Sequence, residues 1–218
     1  MEENKQNNMT TEQQEKPNED SGIHIEGHIK IHDPDSGEVF VDKRNAIHYE
    51  NISEALALSL SNKTTGFIHE MHFGNGGTSV DPTGVITYLP ANNTGQNSDL
   101  YNQTYYKVVD NNSSLNTDPT RNKIETRHTT GNNYTDILVT CLLDYGEPSG
   151  QSAFDNTSNL DEEYVFDELG LKSWVGTVAT GKLLTHVIFH PVQKSLNRLI
   201  QIDYTVRIQS LTNLTGVA

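Results

Sequence analysis

Histidine is the residue type in this sequence whose spacing most readily suggests chemistry, because neutral imidazole is a common metal ligand. The 218-residue chain contains nine histidines, and His186 lies four residues before His190. On a helix, this spacing would suit a single metal ion. In a strand, residues four apart lie on one face at ~13 Å from each other, which is too far for two ligands of one ion.

The other histidine groups lead to the same interpretation. His69 and His72 are three residues apart and would point to opposite faces of a strand. A further group shares one strand face at the same wide separation and comprises His24, His28 and His32. Hydrogen-bonded or solvated histidines are therefore the favoured interpretation, and a metal bound by ligands from adjacent strands or subunits is the alternative.

Two loops contain residue types that bind phosphate or cations in other proteins. The corner Gly74-Asn75-Gly76-Gly77 has no Lys-Ser/Thr and no helix start after it, so we interpret it as a turn rather than a phosphate-binding loop. The stretch 155–163 is dense in carboxylates and amides but lacks the spacing and the central glycine of an EF-hand. We interpret it as a solvated loop, with a stiffening Ca²⁺ or Mg²⁺ as the alternative.

Nucleophilic catalysis has no recognisable set of residues in the sequence. Cys141, the only cysteine, lies in the apolar run 137–143 and is interpreted as a small buried hydrophobic residue. No Gly-x-Ser-x-Gly elbow occurs, and no Asp or His stands in a pattern that would activate a serine or Cys141. The sequence therefore predicts a protein that is not an enzyme and that has no catalytic residue, cofactor or bound metal.

The composition indicates the kind of fold that must position these residues. Hydrophobic residues make up 33% of the chain, below the roughly 45–50% that is usual for globular proteins. The polar remainder, chiefly Asn, Thr and Ser, favours turns over long helices. We therefore expect many short strands joined by long loops, in one domain whose thin interior is partly completed by partners.

The charge of the chain and its short apolar runs exclude two kinds of partner. With 15 basic and 29 acidic residues the net charge is −14, and such a surface gains no affinity by neutralising nucleic-acid phosphates. No apolar run approaches the ~20 residues needed to cross a bilayer, and the polar N-terminus lacks the apolar stretch of a secretory signal. We expect neither nucleic acid nor a membrane as a partner.

Alternating apolar residues predict the strands. The alternation is most regular at 199–208, and it is also clear at 23–32, where isoleucine recurs on one face. A turn sequence at 33–37 joins the latter strand to a second one at 38–41, which makes a hairpin. Further strands are predicted at 67–73, 85–89, 136–143, 164–166 and 183–189.

A single short helix is predicted at 52–61. Apolar residues recur there at one-turn spacing, and Asn51 with Glu54 resembles a capping box. The predicted fold class is therefore mainly β: an antiparallel β-sandwich, jelly-roll-like, with one short helix and long loops.

The chain divides into a tail and one domain. Residues 1–22 are too polar to bury a core, and we expect them to form a flexible N-terminal tail. The β-sandwich domain is predicted at 23–218. It includes an Asn- and Thr-rich loop excursion at 91–133, which is expected to hold one or two strands and to reach neighbouring proteins.

Several motifs occur in an order that resembles a known family. They are, in chain order, Ala55-Leu56-Ala57 in the helix, the corner Met71-His72-Phe73-Gly74-Asn75-Gly76-Gly77, the strand 137–143, Val165-Phe166-Asp167-Glu168-Leu169-Gly170-Leu171, Gly181-Lys182-Leu183-Leu184 and the strand 200–208. Over residues 47–209 this order resembles the N-terminal collar or attachment domains of tailed-bacteriophage tail fibres and their stand-alone relatives in phage necks and heads.

The resemblance implies a virion structural protein. It implies a β-sandwich that works as a symmetric homo-oligomer, a trimer or higher ring, and contacts other neck, head or tail proteins. It also implies assembly in the host bacterial cytoplasm and a final location in the virion. No repetitive shaft or receptor-binding tip follows the domain in this sequence, so a neck, collar or capsid-associated connector is favoured over receptor recognition. A capsid decoration or head-fibre protein is the alternative, followed by a histidine-ligated β-barrel enzyme.

Two motifs supply the residues that we expect to hold the attachment domain in shape. In the step Glu168-Leu169-Gly170-Leu171, the leucines can point into the core, and Gly170 permits close approach of two backbones or a positive φ. Glu168 can accept hydrogen bonds from exposed loop amides. With the glycine-rich corner, the predicted structural and interaction residues are Phe73, Gly74, Gly76, Gly77, Glu168, Leu169, Gly170 and Leu171.

Overall fold

The computed structural model of the protein describes residues 22–148, 163–195 and 197–211. It confirms the predicted fold class, since 51% of the residues are in strands and 7% are helical, and the antiparallel sheets are joined by long loops. The described residues contain one α-helix, α1 (Tyr49–Leu60). No helix among them is long and apolar enough to cross a membrane.

Two five-stranded sheets form the layers of a β-sandwich. Sheet A has the strand order β2 (Val39–Arg44), β1 (Gly22–His32), β12 (Ile200–Leu211), β9 (Tyr134–Leu143) and β8 (Lys123–His128). Sheet B has the strand order β3 (Ala46–Ile47), β11 (Leu183–Ser195), β10 (Glu163–Ser173), β4 (Ile68–Gly74) and β7 (Gln103–Val108). A separate hairpin pairs β5 (Thr78–Val80) with β6 (Ile86–Tyr88). Neighbouring strands are antiparallel throughout the described residues.

The hydrophobic core lies between sheets A and B, where each strand turns alternate side chains inward. On β12, every second residue from Ile200 to Val206 is buried, so the most regular alternation in the sequence is an inner row of sheet A. Sheet B contributes aromatic rings, among which Phe73 and Phe166 meet edge to face with ring centroids 5.4 Å apart. Such pairs add ~0.5–1.5 kcal/mol beyond the burial of their area.

The helix begins three residues earlier than the sequence predicted. Its N-cap is His48, whose Nδ1 accepts a hydrogen bond from the backbone N–H of Asn51 at 3.3 Å. Asn51, predicted as part of a capping box, lies inside the first turn, and its Nδ2 donates to the carbonyl oxygen of Leu183 at 2.9 Å. Ser, Thr, Asp and Asn are the usual N-caps, so a histidine in this role leaves no recognisable sequence signal.

Most predicted strands are present, but several bounds differ. The excursion at 91–133 holds two strands, β7 and β8, whereas the short strands β3 and β5 were not predicted. Strand β10 extends well beyond the predicted 164–166. The prediction was too short because two buried charged residues, Glu168 and Lys172, interrupt the apolar alternation of this strand. Ile23 was expected on the inner face, but it is 68% exposed because it lies at the outer end of β1.

Two predictions concern residues outside the described ranges. The predicted tail at 1–22 lies there except for Gly22, which begins β1. The acidic loop at 155–163 also lies there except for Glu163, which begins β10.

Candidate interaction site

The outer face of sheet B points away from the core and is covered by residues 75–102, here called the cover segment. Polar side chains on this face are buried: Glu168, Lys172 and His186 are each at most 1% exposed. Burying a polar or charged group is costly unless it is hydrogen-bonded. The partners of these three side chains therefore determine how the cover segment is held.

Glu168 on β10 holds the two ends of the cover segment together. Near the start of the segment, the backbone N–H of Gly76 donates to its Oε1 at 3.1 Å. Near the end, the backbone N–H groups of Tyr101 and Asn102 donate to its carboxylate at 2.9 Å and 2.8 Å. His186 on β11 adds a fourth hydrogen bond, from Nε2 to Oε2 at 3.0 Å. One carboxylate thus closes the segment into a loop.

Each ring nitrogen of His186 has a partner that fixes its role. Nδ1 accepts a hydrogen bond from the backbone N–H of Asn92 at 2.8 Å, so Nε2 carries the proton that is donated to Glu168. Burial opposes ionisation of Glu168, but the hydrogen bonds from His186 and the three loop amides outweigh it and lower the pKa of this carboxyl below its usual value. The site therefore contains a buried and fully hydrogen-bonded negative charge.

Asp167, next to Glu168, anchors the hairpin β5–β6. The register of β10 against β11 shifts between Phe166 and Glu168, so Asp167 lies at an irregularity of the pairing, opposite the longer stretch 189–191 of β11. Its carboxylate accepts hydrogen bonds from the backbone N–H of Gly77 at 2.9 Å, from that of Thr78 at 2.8 Å and from the Thr78 hydroxyl. Burial raises the pKa of Asp167 in spite of these bonds, and the neighbouring charge of Glu168 adds to the rise.

Lys172 is the third anchor of the cover segment. Its Nζ lies 2.6 Å from Oδ1 of Asp99 and 3.0 Å from Oε1 of Gln103. The side chain of Lys172 is 1% exposed and that of Asp99 is 50% exposed, so this ion pair joins a buried ammonium group to a carboxylate at the surface. Gln103 also contacts Nδ1 of His72 at 2.7 Å, and Nε2 of His72 contacts Glu70 at 2.7 Å. A chain of polar contacts therefore crosses the outer face of sheet B.

Gly74 and Gly170 have no room for a side chain, because a Cβ at either position would clash with neighbouring atoms. A Cβ on Gly74 would lie 2.5 Å from the carbonyl oxygen of Asn102 and 2.5 Å from Oε1 of Glu168. A Cβ on Gly170 would lie 2.8 Å from the carbonyl oxygen of Thr185. Neither glycine has a positive φ. Of the two reasons predicted for Gly170, close approach therefore applies and a positive φ does not.

The eight predicted site residues lie on two adjacent strands and the corner that follows one of them. Strands β4 and β10 pair Phe73 with Leu169 and Gly74 with Glu168. Leu169 and Leu171 are fully buried in the core, as expected, and so is Phe73. The expected hydrogen bonds from loop amides to Glu168 are present. The loop amides were expected to be exposed, whereas the carboxylate that they bind is completely buried.

Sequence reasoning missed four anchors of the cover segment: Asp167, Lys172, His186 and Asp99. The available signal was the pair of acids, Asp167 and Glu168, inside an otherwise apolar strand. Charged residues on a strand usually indicate a solvent-exposed face, so that signal did not distinguish a buried network from an exposed one.

The anchored hairpin displays apolar side chains to solvent. Val80 is 62% exposed, Val85 58%, Tyr88 49% and Leu89 39%. The tip is ordered by Asp81, whose Oδ1 accepts a hydrogen bond from the backbone N–H of Val85 at 3.0 Å. An isolated two-stranded hairpin is at best marginally stable in water, so the anchors at its base are what fix this surface.

The buried histidines are hydrogen-bonded, and the cysteine is buried in the core. His69 and His72, expected on opposite faces of their strand, both reach the carboxylate of Glu70, at 3.3 Å and 2.7 Å. The described residues contain no group of three or more His, Cys, Asp or Glu side chains that could hold a metal ion. Burial raises the pKa of Cys141 to about 12, the opposite of the shift that a nucleophilic thiol requires.

Comparison of the chain with protein families, with curated proteins and with solved structures gave no match. The class that the fold and the site define is a mainly β, sandwich-like protein that holds a surface hairpin on buried carboxylates.

Proposed function

We propose that the chain is a non-enzymatic virion structural protein of a tailed bacteriophage, a β-sandwich attachment domain of the neck, collar or fibre-attachment region. The observation that carries the proposal is the set of hydrogen bonds that the buried carboxylates of Asp167 and Glu168 accept. Both carboxylates are occupied by amides of the cover segment, so their charge holds a surface hairpin in shape and is not free to act on a substrate.

The arrangement of the motifs supports the resemblance to phage attachment domains. The glycine-rich corner and the Glu-Leu-Gly-Leu step are far apart in the sequence, yet they lie on adjacent strands with Gly74 opposite Glu168. Together they shape one surface loop. This is what an attachment domain needs, because preorganised loops lose less conformational entropy when they bind.

The hairpin β5–β6 is the surface that we assign to contacts with a second copy of the chain in a symmetric ring. Its exposed valines, tyrosine and leucine are apolar, and the hairpin is fixed to sheet B at Gly77 and Thr78 by Asp167. Exposed apolar side chains on a rigid element are typical of protein–protein interfaces. A chain with only 33% hydrophobic residues also has a small interior, which favours stabilisation through oligomers.

Light scattering of the purified full chain tests this assignment. We expect a stable oligomer for the wild type and a smaller species for Val80→Asp, which places a charge in the apolar interface. The matched control is Leu60→Asp, because Leu60 is an 86% exposed aliphatic residue on α1, outside the hairpin. A wild-type protein that stays monomeric at all concentrations, or equal loss of association in both variants, contradicts the assignment.

The proposed location is tested on particles. Mass spectrometry of purified tailed virions from the phage that encodes the chain is expected to detect it. An electron-microscopy map is then expected to place it in the neck, collar or fibre-attachment region. Its absence from purified particles contradicts the virion role.

A further inference from the structure

Among the described residues, the hydrophobic core borders a cleft between sheets A and B beside α1. Its volume is about 590 Å³. Six partly buried hydrophobic residues pack against the core, and five of them line this cleft: Leu56, Ile68, Ile124, Ile137 and Ile208. The exposure of core-facing aliphatic residues is thus concentrated at one opening, which an apolar segment would close.

The cleft lies at the end of the sandwich where β1 begins and β12 ends. Ile25 and Ile208 both line it and are paired across the two strands. The last described residue of β12, Leu211, is three residues beyond Ile208, or ~10 Å at the rise of a strand. The chain on either side of the described domain therefore leaves it next to the cleft.

Apart from residue 196, the residues outside the described ranges form three segments: 1–21, 149–162 and 212–218. Residues 149–162 lie between β9 and β10 in the sequence, and β9 ends at the opposite end of the sandwich. There, Leu143 pairs with Ile200, which lies eight residues before Ile208, or ~27 Å along the strand.

The two remaining segments join the described chain at the ends of β1 and β12 beside the cleft, but they differ in composition. Residues 1–21 contain no aliphatic or aromatic residue other than the methionines Met1 and Met9. Residues 212–218 contain Leu214 and Val217. Of the two segments, only the second therefore contains branched aliphatic residues.

We propose that residues 212–218 turn back after β12 and place Leu214 and Val217 in the cleft, where they complete the core. Leu214 is six residues after Ile208, so a turn near residue 211 returns it to the level of Ile208. This self-docking does not depend on the virion role, because it follows from the open core and the path of the chain.

Disulfide trapping in the full chain tests the proposal. We expect Ile124→Cys with Leu214→Cys to form an intrachain disulfide under mild oxidation, detected by mass spectrometry after digestion. The matched control pairs Leu214→Cys with Val39→Cys, because Val39 is exposed and lies at the far end of sheet A. The native Cys141 has no exposed surface and should stay unreactive. Absence of the first disulfide, or its formation only between two copies, overturns the proposal.

A second test needs no new cysteine. The double variant Leu214→Ser with Val217→Ser should bind more 8-anilinonaphthalene sulfonate than the wild type and melt several degrees lower, because the cleft is uncovered. Thr215→Ser, in the same segment, should change neither property. If the wild type already binds as much dye as the double variant, the cleft is open to small apolar molecules and the proposal is wrong.

Discussion

Glu168 and His186 lie on adjacent strands of sheet B, both fully buried on its outer side, with Oε2 of the glutamate 3.0 Å from Nε2 of the histidine. This contact is outside the hydrophobic core and is sealed by the cover segment, which supplies three backbone amides to the same carboxylate. A charge removed from water is tolerated only when it is well hydrogen-bonded. The position of the cover segment is therefore tied to the ionised state of Glu168.

Glu168→Gln should destabilise the fold and loosen the cover segment. Glutamine has the same shape, but its amide NH₂ would face donors where Glu168 has an acceptor, and the charge is lost. We expect the free energy of unfolding in urea to fall by ~2–3 kcal/mol. The matched control is Glu125→Gln on β8, whose side chain is 42% exposed and should change stability by less than ~0.5 kcal/mol. Similar losses in both variants would show that Glu168 is not an anchor.

The same variant should change the acid dependence of stability. The pKa of Glu168 is lower in the folded chain than the unfolded value of 4.5. Its contribution is therefore fully present above that value and is lost as the pH falls through the lowered folded pKa. Urea unfolding from pH 7 to pH 3 should give a shallower decline for Glu168→Gln than for the wild type. Parallel declines would contradict an ionised Glu168.

Lys194 is expected to give a dependence of the same sign on the alkaline side, because its folded pKa is also lowered. It has no exposed surface, and its Nζ donates to the carbonyl oxygens of Asp144 at 3.0 Å, Glu147 at 2.9 Å and Ser195 at 2.7 Å. Burial lowers the pKa of Lys194 from 10.5 to about 8, against the opposing charges of Glu147 and Asp144. Between pH 8 and pH 10.5, Lys194 is therefore protonated to a greater extent in the unfolded chain than in the folded chain. Lys194 therefore makes the free energy of unfolding rise with pH, by at most ~1.4 kcal/mol per pH unit.

The measurement for Lys194 is the difference between the wild type and Lys194→Met in urea unfolding from pH 7.5 to pH 10.5. Buried tyrosines act in the opposite sense near pH 10, because burial raises the pKa of Tyr105 and Tyr204. Both proteins share that contribution, so it cancels in the difference. The stability of the wild type relative to the variant should rise across the range, and a constant difference would contradict the assignment.

The central strands of sheet A could be predicted from the sequence because only one face of each is in the core. On β1 and β12 the buried residues alternate with more exposed ones, so the period of two is visible. Strand β10 is buried on both faces, and its outer face carries Glu168 and Lys172. Its alternation is therefore hidden, and the prediction stopped at residue 166.

The candidate site was predictable only in part, for a related reason. Gly74 and Gly170 could be recognised, since a glycine within a strand indicates close approach of backbones. The groups that bind Glu168 and Asp167 are mostly backbone amides of the cover segment, and every residue except proline has one. No side-chain pattern marks Gly76 or Asn102 as partners, so their contacts appear only in the folded chain.

Gly170→Ala should destabilise the fold for steric reasons alone. The added Cβ would lie 2.6 Å from Cδ1 of Leu183, which can move, and 2.8 Å from the carbonyl oxygen of Thr185, which is fixed in β11. We expect a loss of ~1–3 kcal/mol in urea unfolding, as for other overpacked sites. Gly22→Ala is the control, since nothing lies within 4 Å of a Cβ there. An unchanged Gly170→Ala protein would show that β10 and β11 are farther apart.

Ile202→Asp should prevent folding, because Ile202 has no exposed surface on the inner side of β12. An unpaired carboxylate there would cost on the order of 4–5 kcal/mol or more, comparable to the whole stability of many domains. Thr205→Asp is the matched control on the opposite face of the same strand, where the side chain is only partly buried. We expect circular dichroism and light scattering to show a folded Thr205→Asp protein and an unfolded or aggregated Ile202→Asp protein. A soluble, cooperatively melting Ile202→Asp protein would mean that the inner face of β12 has been assigned to the wrong side.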